Sequence, residues 1–361
     1  MRYWRLLCSS AAGWMLMRLR CKGFGEEISR RVLQSLIDGY RKSAMLHVAA
    51  KLGVADLLAK GPRSSGELAQ SLGADALSLR RFLRGLVVLG ICSEGEDGRF
   101  GITKLGTWLQ RTKSRSVRGH AINSGATYTA WGNLLHSVMT GETAFTHAFK
   151  VGVWDYRKQE SALDEAFNEA FLEGSSRIAR EILSAYDVSS VRTIADIGGG
   201  YGGLLAAILK DSPSLSGILF DQPHVIAKSV ARLKDSGLSE RCRVVGGDFL
   251  AHVTDGADLY ILKNVLHDWN DAQSERILKN CRHAMHAKAK LLLIERIMPE
   301  RARKDPLIVM QDLRMLISTG GRERNESEFR ALFEAAGLKL TRVIPLPSGL
   351  NIIEAICITN R

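Results

Sequence analysis

The chain has 361 residues, 45% of them hydrophobic and 24% charged, a balance that excludes a disordered or fibrous protein and suits two domains or one large domain with an accessory segment. Its formal net charge of +12 is concentrated before Lys42 and again at Arg111, Lys113, Arg115 and Arg118; it admits an anionic partner, and a solvated surface explains it as well. The six cysteines form no C-x-x-C pair, so neither a zinc site nor a disulfide framework is indicated and a reducing cytoplasm fits.

Residues 1–24 loosely imitate a signal peptide, with arginines before Leu6–Met17, but Ser9, Ser10 and Gly13 interrupt the apolar run. They are expected to form a disordered or membrane-touching extension. No later stretch is apolar for long enough to span a bilayer, so stable membrane insertion is not expected. Residues 25–120 read as one module. Helical spacing runs from Ile28 to Leu58, a short helix covers Ser65–Leu72 before Gly73, and Leu77–Leu89 makes a third helix with Arg80, Arg81 and Arg84 on its polar side. Ile91–Ile102, broken by Gly95-Glu96-Asp97-Gly98, is a two-stranded wing. A winged helix of this kind serves either DNA binding or dimerisation.

Residues 121–187 form a linking segment that contains one long predicted helix, Asp155–Tyr186. Residues 188–361 then alternate, with strands predicted at 191–197, 215–221, 241–247, 257–263 and 289–297 and helices between them. That is a doubly wound α/β pattern with a parallel sheet. Leu338–Ile344 and Asn351–Thr359, closed by Pro345-Leu346-Pro347-Ser348-Gly349, finish it with an antiparallel hairpin, giving seven strands in all.

The first of these strands ends in Asp196 and runs into Gly198-Gly199-Gly200-Tyr201-Gly202-Gly203 before a helix. A strand, a glycine turn and a helix N-terminus let a backbone approach a nucleotide-like ligand closely. The G-x-G-x-x-G spacing alone fits a nicotinamide or flavin site equally well, but the terminal hairpin speaks against a dehydrogenase. Asp221 ends the second strand about twenty residues past the glycines, where an acid accepts ribose hydroxyls or caps the next helix. Asp248 and Phe249, after the third strand, suit an adenine amino group and ring face.

His267 lies just beyond the fourth strand, on the sheet edge where open α/β folds place ligands. A histidine there can take a proton near neutral pH. Glu295 ends the fifth strand on the same edge, and Glu323 follows in Gly321-Arg322-Glu323-Arg324. Either carboxylate could fix the imidazole tautomer, and either could be a surface charge. No metal is required by this set.

These segments resemble the S-adenosylmethionine-dependent O-methyltransferases of the caffeate and hydroxyindole type and their bacterial relatives that tailor antibiotics and pigments. The likeness runs from about Gln34 to the C-terminus, and Asp196–Gly203, Asp221-Gln222-Pro223, Gly247-Asp248-Phe249, Leu266-His267-Asp268-Trp269 and Gly321–Arg324 carry it. The resemblance implies a class I methyltransferase sheet, a homodimer formed by the winged-helix domain, and S-adenosylmethionine as cofactor. It implies that Asp196, Gly198, Gly200, Asp221, Asp248, Phe249 and Lys263 hold that cofactor, with His267 as general base flanked by Glu295 and Glu323. Phe171, Trp131, Met139, Asp268 and Met315 are the expected acceptor-pocket residues, and His136 lies near them. Phe171 stands where the family commonly has methionine, which makes a flatter and stiffer wall. The implied reaction is methyl transfer to a hydroxyl of an aromatic or polycyclic small molecule. Transfer to nitrogen or carbon, or cofactor-assisted decarboxylation or hydroxylation, remains open on the same fold. A DNA-binding regulator is the remaining alternative, which the base and its two acids do not need.

Overall fold

The computed structural model describes residues 26–113 and 115–358, apart from the side chains of Glu26, Glu27, Ala126, Ser161, Ala162, Ala170, Phe171 and Glu173. The extension expected over residues 1–24 therefore lies outside the described residues, as does the side chain of Phe171. Helices α1 (Glu26–Ile37), α2 (Gly39–Leu52) and α3 (Val54–Leu57) fill the first helical stretch. Gly53, at φ 66°, separates α2 from α3, because its left-handed conformation ends one helix and redirects the chain.

Helix α4 (Ser65–Leu72) begins with a capping box. Ser64 accepts from the Glu67 amide, and the Glu67 side chain reaches back to the Ser64 amide. Asp75 caps α5 (Ala76–Val88), and β1 (Cys92–Glu94) pairs antiparallel with β2 (Phe100–Ile102) as the wing. The buried faces of α2, α4 and α5 meet around Ala50, Leu68, Leu83, Leu86 and Phe100.

Helices α6 (Arg118–Gly132), α7 (Leu134–Thr140) and α8 (Ala144–Phe149) follow. The single helix predicted over Asp155–Tyr186 is in fact two, α9 (Val153–Gln159) and α10 (Ser161–Ala185). Glu160 breaks it at φ −103° and ψ 78°. Ser161 and Asp164 give the second piece a helix-start composition, which the continuous apolar spacing conceals.

The large sheet contains β3 (Thr193–Ile197), β4 (Ser216–Asp221), β5 (Cys242–Gly246), β6 (Leu259–Lys263), β7 (Lys290–Glu295), β8 (Leu338–Pro345) and β9 (Asn351–Cys357), in the order β5-β4-β3-β6-β7-β9-β8. The first five run parallel, and β9 joins β7 antiparallel with Glu295 opposite Asn351. Helices α11 (Gly203–Asp211), α12 (Pro223–Asp235), α13 (Asp271–Ala284), α14 (Pro306–Ser318) and α15 (Glu326–Ala335) complete the chain. Both sheet faces are covered, which is why β3, β4, β6 and β7 are almost continuously buried rather than alternating. One core packs Ile277, Cys281, Phe329 and Phe333 of α13 and α15 on Tyr260 and Leu291. The other packs α10 and α11 on Ile194, Leu219 and Ile261. The strand order reverses between β3 and β6, and ligands of open α/β sheets bind in the crevice at such a point.

Candidate active site

The reversal opens a cleft walled by the glycine turn, Asp196, Asp221, Phe249, Lys263, Asp268 and Trp269, and across from them by Trp154, Arg157, Phe167 and Asn168. Gly198 sits at φ 71° and Gly200 at φ 58°, backbone conformations that side chains other than glycine's rarely adopt. A Cβ on Gly199 would lie 2.5 Å from Leu219 Cδ1 and 2.8 Å from Asp196 Cγ, so the turn must also be bare to pack. Asp221 fastens it, accepting from the Gly200 amide at 2.7 Å and from the Gln222 amide at 2.7 Å. Burial holds the Asp221 carboxyl above its usual range, against the pull of those two amides.

Asp196 is buried with one carboxylate oxygen, Oδ2, lacking a hydrogen-bond partner. Burial pushes its carboxyl up to about 7, and the nearby Lys263 ammonium only partly offsets this. Lys263 in turn stands between the carboxylates of Asp196 and Glu295, with burial lowering its pKa. It also walls a second cleft, together with Asn264, His267, Gln311, Arg314 and Glu323. The two clefts thus meet at Lys263 and Asn264. Phe249 faces the first cleft, whereas Asp248 turns into its own loop and accepts from the Leu250 amide at 2.9 Å.

His267 is buried, and the three acids named from the sequence surround it. Nδ1 lies 3.1 Å from Glu323 Oε1 and 3.4 Å from Glu295 Oε2, while Nε2 is 3.8 Å from Asp268 Oδ2. Neither glutamate oxygen facing Nδ1 has a hydrogen-bond partner elsewhere. Burial disfavours the imidazolium, yet the charges of Glu295, Asp268 and Glu323 outweigh it and push the histidine up to about 10. Glu295 is pushed up to about 7 by the same burial, tempered by His267. His267 Nδ1 and the two glutamates also offer three ligand atoms within 4.8 Å of one another, a set that a cation could share. Glu295 spends its other oxygen on the backbone, accepting from Val265 at 2.9 Å and Leu266 at 3.0 Å.

Arg324 closes the Gly321–Arg324 segment and was given no role of its own in the sequence, yet it holds this loop. Its fully buried guanidinium donates to the carbonyls of Leu266 at 2.9 Å and Trp269 at 2.8 Å, bracketing His267, and to Asp271 and Ser274. Trp154 and Arg157 were missed as well. Their helix carries no motif, and only the folded chain brings Trp154 alongside Trp269, with ring centroids 6.4 Å apart.

The expected pocket residues divide. Asp268 lines the cleft. Trp131 packs beside the small core of Ala130, Phe145 and Ile317. Met315 is buried within α14, where Gln311 and Arg314 of the same helix face the second cleft instead. Met139 does not fit the expectation. It is 75% exposed, because α7 is short and turns Leu135, Val138 and Met139 outward together. His136 stacks on His147 rather than on either cleft, with centroids 3.9 Å apart.

The chain is similar to known proteins along most of its length. Residues 131–339 match the O-methyltransferase domain, and residues 34–112 match the O-methyltransferase dimerisation domain, which supports a homodimer. A phenazine O-methyltransferase of Lysobacter antibioticus is 45% identical over 90% of this chain and 95% of its own. A phenazine-1-carboxylate N-methyltransferase of Pseudomonas aeruginosa is 31% identical over 90% of this chain and 96% of its own. The crystal structure of an O-methyltransferase from neocarzinostatin biosynthesis, in complex with S-adenosylmethionine and 2-hydroxy-5-methyl naphthoic acid, superposes with a TM-score of 0.77 at 32% identity, covering 88% of this chain and 96% of that one.

Proposed function

Because this chain belongs to the O-methyltransferase family and is an S-adenosylmethionine-dependent enzyme, we propose that His267 is the general base that removes the proton from a hydroxyl of an aromatic or polycyclic acceptor. The cleft suits the cofactor: the bare turn at Gly198–Gly200 leaves room for close backbone approach, and the unpaired Asp196 oxygen awaits a donor. We infer that Asp196, Gly198, Gly200, Asp221, Phe249 and Lys263 hold it, with Asp248 shaping the Phe249 loop. When bound, S-adenosylmethionine supplies an electrophilic methyl group on a sulfonium.

The chain's own contribution is to move a proton and exclude water. His267 Nε2 takes the hydroxyl proton, and the oxygen becomes a stronger nucleophile as the proton leaves. Glu295 and Glu323 stabilise the imidazolium through Nδ1 and fix which nitrogen is free. Trp154, Phe167, Phe249 and Trp269 present aromatic surface to a planar acceptor, and an acceptor that fills the cleft displaces water, which favours a reaction in which charge is lost. Residues 25–120 serve dimerisation, 121–187 line the acceptor side, and 188–361 bind the cofactor. The described cysteines, Cys92, Cys242, Cys281 and Cys357, are all free and buried, which supports a cytoplasmic site of action.

The single observation that carries this reading is the histidine with two buried glutamates behind one nitrogen. Its test is His267→Ala, expected to lower turnover of a phenolic acceptor by about 10²- to 10⁴-fold while S-adenosylhomocysteine still binds. Full turnover in the variant would remove the base. N-methyl transfer is the second reading, favoured by the N-methyltransferase among the relatives. A pyridine-type ring nitrogen has no proton to lose, so such an acceptor would tolerate His267→Ala.

A further inference from the structure

Arg157 is a buried cation for which the reaction above has no use. Only 6% exposed, it stands on α9 with its guanidinium over the Phe167 ring at 3.6 Å from the centroid, and near Trp154 at 5.5 Å. Nη2 donates to Asn123 Oδ1 at 3.1 Å, which fixes the plane of the group. Nε and Nη1 are buried and have no hydrogen-bond partner. Buried guanidinium N–H groups are costly to leave unpaired, and the ligand they match best is a planar carboxylate. The residue lines the cleft beside Trp154, Phe167, Asp268 and Trp269. Burial pulls its pKa down to about 10; of the charges acting on it, Asp268 comes first and Arg314 second, ahead of Asp164. Asp268 adjoins His267, and Arg314 shares the second cleft with it, so Arg157 stands toward the acceptor end of a cleft whose other wall is the glycine turn.

We propose that Arg157 receives a carboxylate carried by the acceptor, so that the preferred substrates are aromatic hydroxy acids and not neutral phenols. The inference rests on the methyl-transfer reading and adds to it a substrate class. The aromatic rings on the guanidinium face suit a ligand whose carboxylate is attached directly to a flat ring system. The cofactor's amino-acid end carries the same chemical group, so the test must separate the two sources.

The experiment titrates the full-length protein, saturated with S-adenosylhomocysteine, with hydroxynaphthoates and their methyl esters by calorimetry. The wild-type protein is expected to bind at least one acid about tenfold or more tightly than its ester, the scale of one charge-assisted contact. In Arg157→Met that preference should vanish, Arg157→Lys should keep part of it, and S-adenosylhomocysteine should bind all three proteins alike. The proposal is overturned if no acid is bound better than its ester by the wild-type protein, a result that needs no variant to fold. It is equally overturned if Arg157→Met weakens S-adenosylhomocysteine instead, which would assign the guanidinium to the cofactor. Transfer of labelled methyl is measured alongside. A bound acid that is never methylated would sink the catalytic reading while leaving the Arg157 contact in place.

Discussion

Glu323 and Glu295 act on His267 through the same nitrogen, 3.1 Å and 3.4 Å away, and that shared target sets how activity should respond to pH. As the proposed base, His267 must be neutral to accept a proton. Burial opposes its protonation, but the surrounding carboxylates raise its pKa to about 10, so the neutral fraction grows as pH rises toward that value. The rate should therefore climb on the alkaline side. Glu323→Gln removes one of the carboxylates that raise the pKa, so His267 loses its proton at lower pH and the rising limb of kcat/KM moves acidward, by about one unit for each 1.4 kcal/mol of lost interaction. The plateau should fall as well, because a weaker base does less for the transition state. Profiles of the two proteins with one acceptor cancel the acceptor's own titration. A limb that stays in place would show that Glu323 is not coupled to the imidazole. His267 and Glu295 were legible in the sequence because each ends or follows a strand on one sheet edge, whereas Glu323, in the loop between α14 and α15, was legible only through the Gly321–Arg324 segment. Arg157 was not: it sits within a helix, and its meaning arises only from Asn123 and Phe167 packing against it.

Loops hold His267 as firmly as the strands aim it. A Cβ added to Gly321 would lie 2.0 Å from the His267 carbonyl oxygen and 2.5 Å from the Asp268 carbonyl carbon, contacts that only a backbone shift relieves. Gly321→Ala should cost about 1–3 kcal/mol in thermal unfolding, the usual range for overpacking. It should also depress kcat while leaving S-adenosylhomocysteine affinity alone, since β3 and β4 position the cofactor side. Weakened cofactor binding with normal kcat would contradict that separation. Arg324→Met tests the same loop from its other flank. It takes the charged donor from the carbonyls of Leu266 and Trp269, which the Trp269 amide and Ser274 Oγ still reach, so the loss should be about 1.5–3 kcal/mol, the scale of a hydrogen bond to a charged group, and Arg324→Lys should recover only part of it. The strands and the closing hairpin could be read from apolar runs and turn residues. The break at Glu160 could not, since helical spacing continues across it and only the backbone angles betray it.

The two halves of the chain bury their surfaces differently. In α1 every described side chain is exposed, although Ile28, Val32, Leu33, Leu36 and Ile37 make it largely apolar. Among the described residues nothing covers this helix, and an apolar helix bare to water is unstable alone, so a second copy of the chain suits it as partner. The matched dimerisation domain begins at residue 34, within this helix, and Tyr40 extends the uncovered surface onto α2 at 64% exposure. The sequence showed these residues at helical spacing, but a periodic stripe looks the same whether it faces its own core or a second copy. Burying one large apolar side chain contributes about 1.5–3 kcal/mol. Leu33→Glu with Leu36→Glu changes two such groups in each protomer and should raise the dimer dissociation constant by well over about a hundredfold. Sedimentation at micromolar protein should then show monomer where the wild-type chain shows dimer. Circular dichroism should be little changed, because the core around Leu68, Leu83 and Phe100 is untouched. A variant that stays dimeric would move the interface off α1, and the exposed Val88 and Leu77 of α5 would be the next surface to charge.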